Sequence, residues 1–273
     1  RWDIIDLVRA CYALRPEGIE WPLREDGSPS FKLELLTAAS GIDHGQAHDA
    51  LADVRATIAL ARLIKEKQPK LFDYAFSLRQ KAQVIKQINL QQLTPLVHVS
   101  SKIPASQGCC TWILPVAQHP SNPNAIICVD LSKDPQAILN ENAETLRSLL
   151  YARQESFEEG QQRPGIKLIH INRSPFITTA KALTEDNADR LGLNRDQCLE
   201  NYKRLAEDNA WRDTLIELYN EPHEDSEVDA DHALYSGGFL TNEEKHWCDD
   251  VRETQPEQLS VLAERKKVLY LVA

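Results

Sequence analysis

Methionine is absent from all 273 residues, position 1 included, and this predicts a piece of a longer reading frame. The last residues, ERKKVLYLVA, break off inside an apolar, helix-compatible pattern and carry the same expectation. No apolar run approaches the roughly 20 residues needed to cross a bilayer, so no membrane span is expected. The opening RWDIIDLVRACYAL has neither a basic n-region nor a small-residue cleavage site, so no secretory route is expected from it. The six cysteines, Cys11, Cys109, Cys110, Cys128, Cys198 and Cys248, form no CxxC pair, and vicinal Cys109 and Cys110 are poorly placed to bridge each other. Reducing cytoplasm is the expected compartment. Internal repeats and low-complexity tracts are also missing.

Positive charge is in short supply overall, with a formal net charge of -10, but its distribution matters more than its total. Residues 1–150 hold sixteen basic and sixteen acidic residues, whereas 217–253 hold twelve acidic and two basic. The whole acidic excess therefore lies late in the chain. Residues 61–102 run the other way: Arg62, Lys65, Lys67, Lys70, Arg79, Lys81, Lys86 and Lys102 face only Glu66 and Asp73. That stripe is either a solvated helix face or a track for a polyanion.

The early chain has helical periods. Ile4, Ile5, Val8 and Tyr12 recur at helical spacing before Pro16 and Gly18, and FKLELLTAAS reads as a short helix stopped by Gly41. AHDALADVRATIALARLIKEK follows, with Leu51, Val54, Ile58 and Ala61 as an apolar stripe and Pro69 as its end. A helix over 71–88 is expected to link two domains. From residue 93 the period shortens: LTPLVHVS, CTWILPVA, NAIICVDL and GIKLIHIN read as strands of a small sheet or barrel. Helices over 143–158 and 195–219 decorate it, EPHEDSEVDADH reads as a solvated linker, and 241–273 reads as helical. This gives an α/β plus β-barrel chain of three parts, 1–68, 69–223 and 224–273.

Two overlapping pairs have a His five residues before an Asp, His44 with Asp49 and His48 with Asp53. The second is preferred, because Asp53 then stands in the first turns of the long helix, His48 just before it, and Asp49 can cap the free amides. A carboxylate that holds a hard divalent cation beside an imidazole that accepts a proton from the attacking water suits phosphodiester hydrolysis. Taken singly, the His also fits a structural hydrogen-bonding role and the Asp a partner of the helix dipole.

AHDALADVRATIALARLIK is similar to the last motif of the DEDD-type 3′ to 5′ exonucleases with a catalytic His. KQPKLFDYAF, TPLVHVS, HPSNPNAIICVDL, KLIHIN, ADRLGLNRDQCLEN and RWDIIDLVRACYALRPEGIEWP resemble the bacterial exodeoxyribonuclease I family. The resemblance implies part of a ribonuclease H-like exonuclease domain, then an SH3-like domain with helical insertions, then the start of a helical domain, together enclosing a groove for single-stranded DNA. It implies His48 as general base, Asp53 as metal ligand and Mg²⁺, or Mn²⁺, as cofactor. It also implies Arg9, Arg15, Lys32 and Tyr151 as contacts to a 3′ single-strand end, Arg15 and Tyr74 as contacts to the acidic tail of single-strand-binding protein, and a monomer.

The sequence departs from the family pattern in two ways. The family's Asp-x-Glu pair and a further metal-binding Asp have no counterpart ahead of His48. Asp225 and Glu227 have the spacing but follow the motif in the acidic stretch, and Asp3 and Asp6 are read as charges at a helix start. Basic residues expected at the partner contact are replaced by Thr94, Thr184 and Ala206. Two rival readings are a non-catalytic binding module for single-stranded DNA or a replication protein, and a nuclease of RNA. The appended SH3-like and helical parts weigh against the RNA reading.

Overall fold

The computed structural model describes residues 2–42, 50–153, 155, 157, 162–220 and 241–263. They fall into two compact units, Arg1–Glu221 and Pro222–Ala273. In the first unit a five-stranded antiparallel sheet forms the centre. Strands β1 (Leu96–Val99), β2 (Cys110–Gln118), β3 (Ala125–Asp130) and β4 (Ile166–His170) run as a meander. Then β5 (Phe176–Thr179) returns to the free edge of β1, giving the order β4-β3-β2-β1-β5. The first four match the short apolar runs in the sequence; β5 is a four-residue strand that its pattern did not announce. Register along β2 and β3 shifts between Pro115 and Ala117. That is where a proline has no N–H to give the ladder.

Strands β2 and β3 are buried along almost their whole length, so both faces of the central sheet are covered. Helix α1 (Ile5–Leu14) packs on β1, β2 and β5. Leu7, Val8, Cys11 and Leu14 are buried, while Ile4, Ile5 and Tyr12 are only half-buried, so α1 turns a different set inward from the one its first apolar residues suggest. Helices α2 (Leu33–Ala39), α3 (Ala50–Lys67), α4 (Pro69–Ser77) and α5 (Lys81–Ile85) follow. The expected single helix over 71–88 is thus two helices, with buried Leu78 at the turn between them and Pro69 at the start of α4, where its missing N–H costs nothing.

The stripe expected to be the inner face of α3 is the outer one. Leu51, Val54 and Ile58 are 57%, 54% and 46% exposed, whereas Ala56, Leu60 and Ile64 are buried. Both sets have a helical spacing, and packing against α2 and α4 selects the second.

After β3 come α6 (Gln136–Asn140) and α7 (Ala143–Tyr151), the latter capped by Asn142, whose side chain accepts from Thr145 N. Helix α7 ends at Tyr151 rather than running to 158. After β5 come α8 (Glu185–Arg190), α9 (Arg195–Glu207) and α10 (Trp211–Leu218), so the expected helix over 195–219 is a pair. Helix α10 packs on β2 and on α6 and α7. In the second unit α11 (Asn242–Glu253) starts from a capping box between Thr241 and Glu244, and 259–263 is helical. The proposed linker EPHEDSEVDADH lies wholly outside the described residues. No helix among the described residues is long and apolar enough to cross a membrane.

Candidate nucleic-acid interface

Three segments converge on a cleft of about 550 Å³ in the first unit, lined by Arg9, Arg24, Phe31, Lys32, Ser101, Lys102, Ile103, Pro104, Ala105 and Cys109. Arg9 projects from the middle of α1. Its guanidinium donates to Asp6 Oδ1 at 2.7 Å and lies 5.9 Å from the centre of the Phe31 ring. Phe31 is held edge-on against Tyr12, which is itself edge-on to Trp21, so the aromatic wall is fixed from behind. Lys32 is exposed at the N-cap of α2.

Arg24 belongs to a turn closed by Arg24 N donating to Ser28 O at 2.8 Å and Gly27 N to Arg24 O at 3.0 Å. Gly27 takes φ +76° there, a left-handed conformation that other residues resist. The β1–β2 loop brings Lys102. It is pinned where Ser100 N donates to Cys109 O, and Gly108 takes φ +59°, a left-handed conformation, with Leu191 and Tyr12 against the place a Cβ would occupy.

Four cations therefore share one cleft with an aromatic ring, Arg9 paired with Asp6 behind it, and among the described residues no carboxylate lines the cleft. Phosphate oxygens are attracted by such a set, and the ring offers a face to a base. Burial pushes the Cys109 thiol above its ordinary range, although Arg9 opposes this. It is therefore a neutral wall at physiological pH.

Of the contacts implied by the resemblance, Arg9 and Lys32 meet in this cleft. Arg15 does not: it is exposed at the end of α1 and donates to the carbonyls of Leu14 and Ala182, the latter at 3.2 Å. Tyr74 is half-buried, its hydroxyl donates to Ile177 O at 2.7 Å, and its ring meets Phe176 edge-on. Burial raises its phenol pKa. Both residues thus attach to the chain around β5. Tyr151 is 70% exposed at the end of α7 and does not line the cleft. Thr184 is the N-cap of α8, accepting from Asn187 N at 3.3 Å.

Two contributors, Arg24 and Phe31, were missed by sequence reasoning, and Lys102 was seen only as one of many basic residues. They come from a turn and a loop with no periodicity to mark them.

Asp53 stands half-buried in the first turn of α3. His48 lies outside the described residues, as do His44, Asp49, Asp225 and Glu227. Among the described residues no group of three or more His, Cys, Asp or Glu could hold a metal ion. A single carboxylate does not fit a pair of divalent cations.

An exonuclease I SH3-like domain model matches residues 79–221. The chain is 44% identical over 262 residues to exodeoxyribonuclease I of Escherichia coli (strain K12), a match covering 96% of this chain and 55% of that protein. It is also 44% identical over 276 residues to exodeoxyribonuclease I of Haemophilus influenzae, covering 100% of this chain and 58% of that protein. It thus spans a little over half the length of these curated relatives.

Among solved structures it resembles E. coli exonuclease I in complex with a dA16 oligonucleotide, with a TM-score of 0.85 at 44% identity over 96% of this chain and 56% of that one. A zinc ion-bound E. coli exonuclease I complex with single-stranded DNA gives 0.82 at 44% identity over 96% and 55%. A complex of SSB and exonuclease I with an inhibitor gives 0.79 at 43% identity over 96% and 54%. The sheet and its helices are part of that exonuclease fold.

Proposed function

The chain belongs to the exodeoxyribonuclease I family, and from that membership we propose that the full-length protein is a cytoplasmic, divalent-metal-dependent exodeoxyribonuclease. It would remove nucleoside 5′-monophosphates from the 3′ end of single-stranded DNA, in repair and recombination. The observation that carries the strand-binding half of this reading is the cleft in which Arg9, Arg24, Lys32 and Lys102 converge beside Phe31, with no carboxylate in the lining among the described residues. Each cation neutralises a phosphate and releases a counterion, and the ring favours unpaired bases over a duplex.

For the cleavage half we propose Mg²⁺ as the cofactor, Asp53 as one ligand, and His48 as the group that takes the proton from the attacking water. Supporting this are the spacing of the two residues and the placement of Asp53 in the first turn of α3. The 273 residues alone are proposed to hold a strand without cutting it, because Asp53 is the one carboxylate the resemblance assigns to the metal. For single-strand-binding protein we propose a contact at Arg15 and Tyr74, where the engaged Tyr74 hydroxyl leaves the exposed Arg15 cation to meet an acidic tail.

The cleavage reading is tested in the full-length protein with a labelled single strand. His48→Ala is expected to lower turnover about 10²- to 10⁴-fold with metal and DNA binding retained. Asp53→Asn is expected to lose metal affinity and turnover together. Equal loss of metal affinity in both variants, degradation from the 5′ end, or indifference to chelator would overturn it.

A further inference from the structure

Arg79 follows α4 and is exposed, yet its guanidinium is held in place. Its central carbon lies 3.7 Å from the centre of the Phe76 ring, a van der Waals distance that a planar guanidinium reaches by stacking. Neither a hydrogen bond nor an ion pair engages that guanidinium among the described residues. Phe76 is itself 41% exposed, an unusual position for so large an apolar ring. It is fixed from below by Trp2, edge-on at 5.2 Å, and alongside by Phe72, stacked at 6.3 Å. Lys65 stands 5.6 Å from the centre of Phe72. The result is a short aromatic row with a cation at each end.

We propose that Arg79, pinned on Phe76, is a stacking seat for a nucleobase of a bound single strand; this rests on the strand-binding reading above. One face of the guanidinium is occupied by Phe76, and the opposite face can take a base by π-stacking and cation–π attraction while the N–H edge reaches a phosphate. Cations flank the row itself, Arg79 on Phe76 and Lys65 at Phe72, although Asp3 and Asp6 lie beside Trp2. A planar cation prepared on a ring favours a base over an acidic peptide, which needs charge alone. The seat also joins the cleft through one segment. Trp2 supports Phe76, and Arg9, seven residues on, lies in the cleft. That interval is on the order of 10–20 Å, the span of a few nucleotides.

The test is equilibrium binding, by fluorescence anisotropy, of a thymidine oligonucleotide of about 16 nucleotides and of an abasic sugar-phosphate strand of the same length. Arg79→Lys keeps the charge and removes the stacking plane. It is expected to weaken binding of the thymidine strand roughly 5- to 100-fold and to leave the abasic strand within about 2-fold. Phe76→Leu, at an exposed site, is expected to behave likewise, with circular dichroism unchanged. If Arg79→Lys matches the parent on both strands while Arg79→Ala weakens both equally, the residue is a point charge and the stacking seat is wrong. If neither variant changes binding but Lys32→Ala and Lys102→Ala do, the seat fails and the cleft stands. If those two also have no effect, the strand-binding reading fails with it.

Discussion

His98 carries the most consequential single ionisation in the described structure. Its ring is buried within the sheet on β1 with Nδ1 3.0 Å from Phe176 O, and burial lowers its pKa from 6.5 to about 4, against an opposing contribution from that carbonyl. The folded protein therefore keeps the ring neutral where the unfolded chain protonates it. Its stabilising effect is complete above the ordinary value of 6.5 and declines as pH falls from there toward about 4. The slope from this one group approaches about 1.4 kcal/mol per pH unit. Thermal unfolding near neutral pH and at about pH 5 should show a larger drop in midpoint for the parent than for His98→Gln. Equal drops would mean that the ring is not held neutral. Nothing in the sequence marks this histidine: it sits in the run LVHV, where alternation alone would place it on an open face, yet β1 is an inner strand whose four residues are all buried.

Helix α1 ends at Arg15, whose N–H donates to Cys11 O at 2.9 Å, and α8 supplies further partners for its last carbonyls. Arg190 donates to the carbonyls of Tyr12 at 2.5 Å and Ala13 at 3.2 Å, and Asn187 donates to Leu14 O at 3.2 Å. The Arg190 guanidinium also lies 4.7 Å from the centre of the Tyr12 ring. These are the carbonyls that a helix C-terminus leaves unpaired, so α8 fastens the helix that presents Arg9. Arg190→Ala is expected to cost about 1–2 kcal/mol in denaturant unfolding, and a loss below about 0.3 kcal/mol would show that water replaces the clamp without cost.

Long-range pairing of this kind explains which elements were legible in the sequence. Strands β1 to β4 announced themselves because β-branched and aromatic residues cluster between Pro, Asn and Gly. The short or polar elements α6, α8 and β5 did not, since their order comes from contacts far along the chain. The face of α3 was misread for a related reason. Leu51, Val54 and Ile58 satisfy the helical period as well as Ala56, Leu60 and Ile64 do, and tertiary packing chose between them.

Across the molecule, a net charge of -10 argues against a nucleic-acid partner until its distribution is considered. The acidic excess is confined to 217–253, and the first unit gathers its cations from α1, a turn, the N-cap of α2 and the β1–β2 loop. Arg9 and Lys32, which the resemblance implies as strand contacts, both line the cleft. Arg24 was not legible in the sequence, because a cation in a turn has no pattern until folding places it opposite Lys102.

The cleft's charge makes a quantitative statement, since each cation that neutralises a phosphate of a single strand adds about 0.7 to the slope of log affinity against log salt. The decisive measurement is the affinity of this chain for a labelled thymidine oligonucleotide between about 50 and about 200 mM salt, for the parent and for Arg24→Ala and Lys102→Ala. Four contacts imply a parent slope steeper than about −2, with each variant binding more weakly and its slope shallower by about 0.7. No binding at the lower salt, or slopes that do not differ between parent and variants, would contradict the assignment of this cleft to the strand.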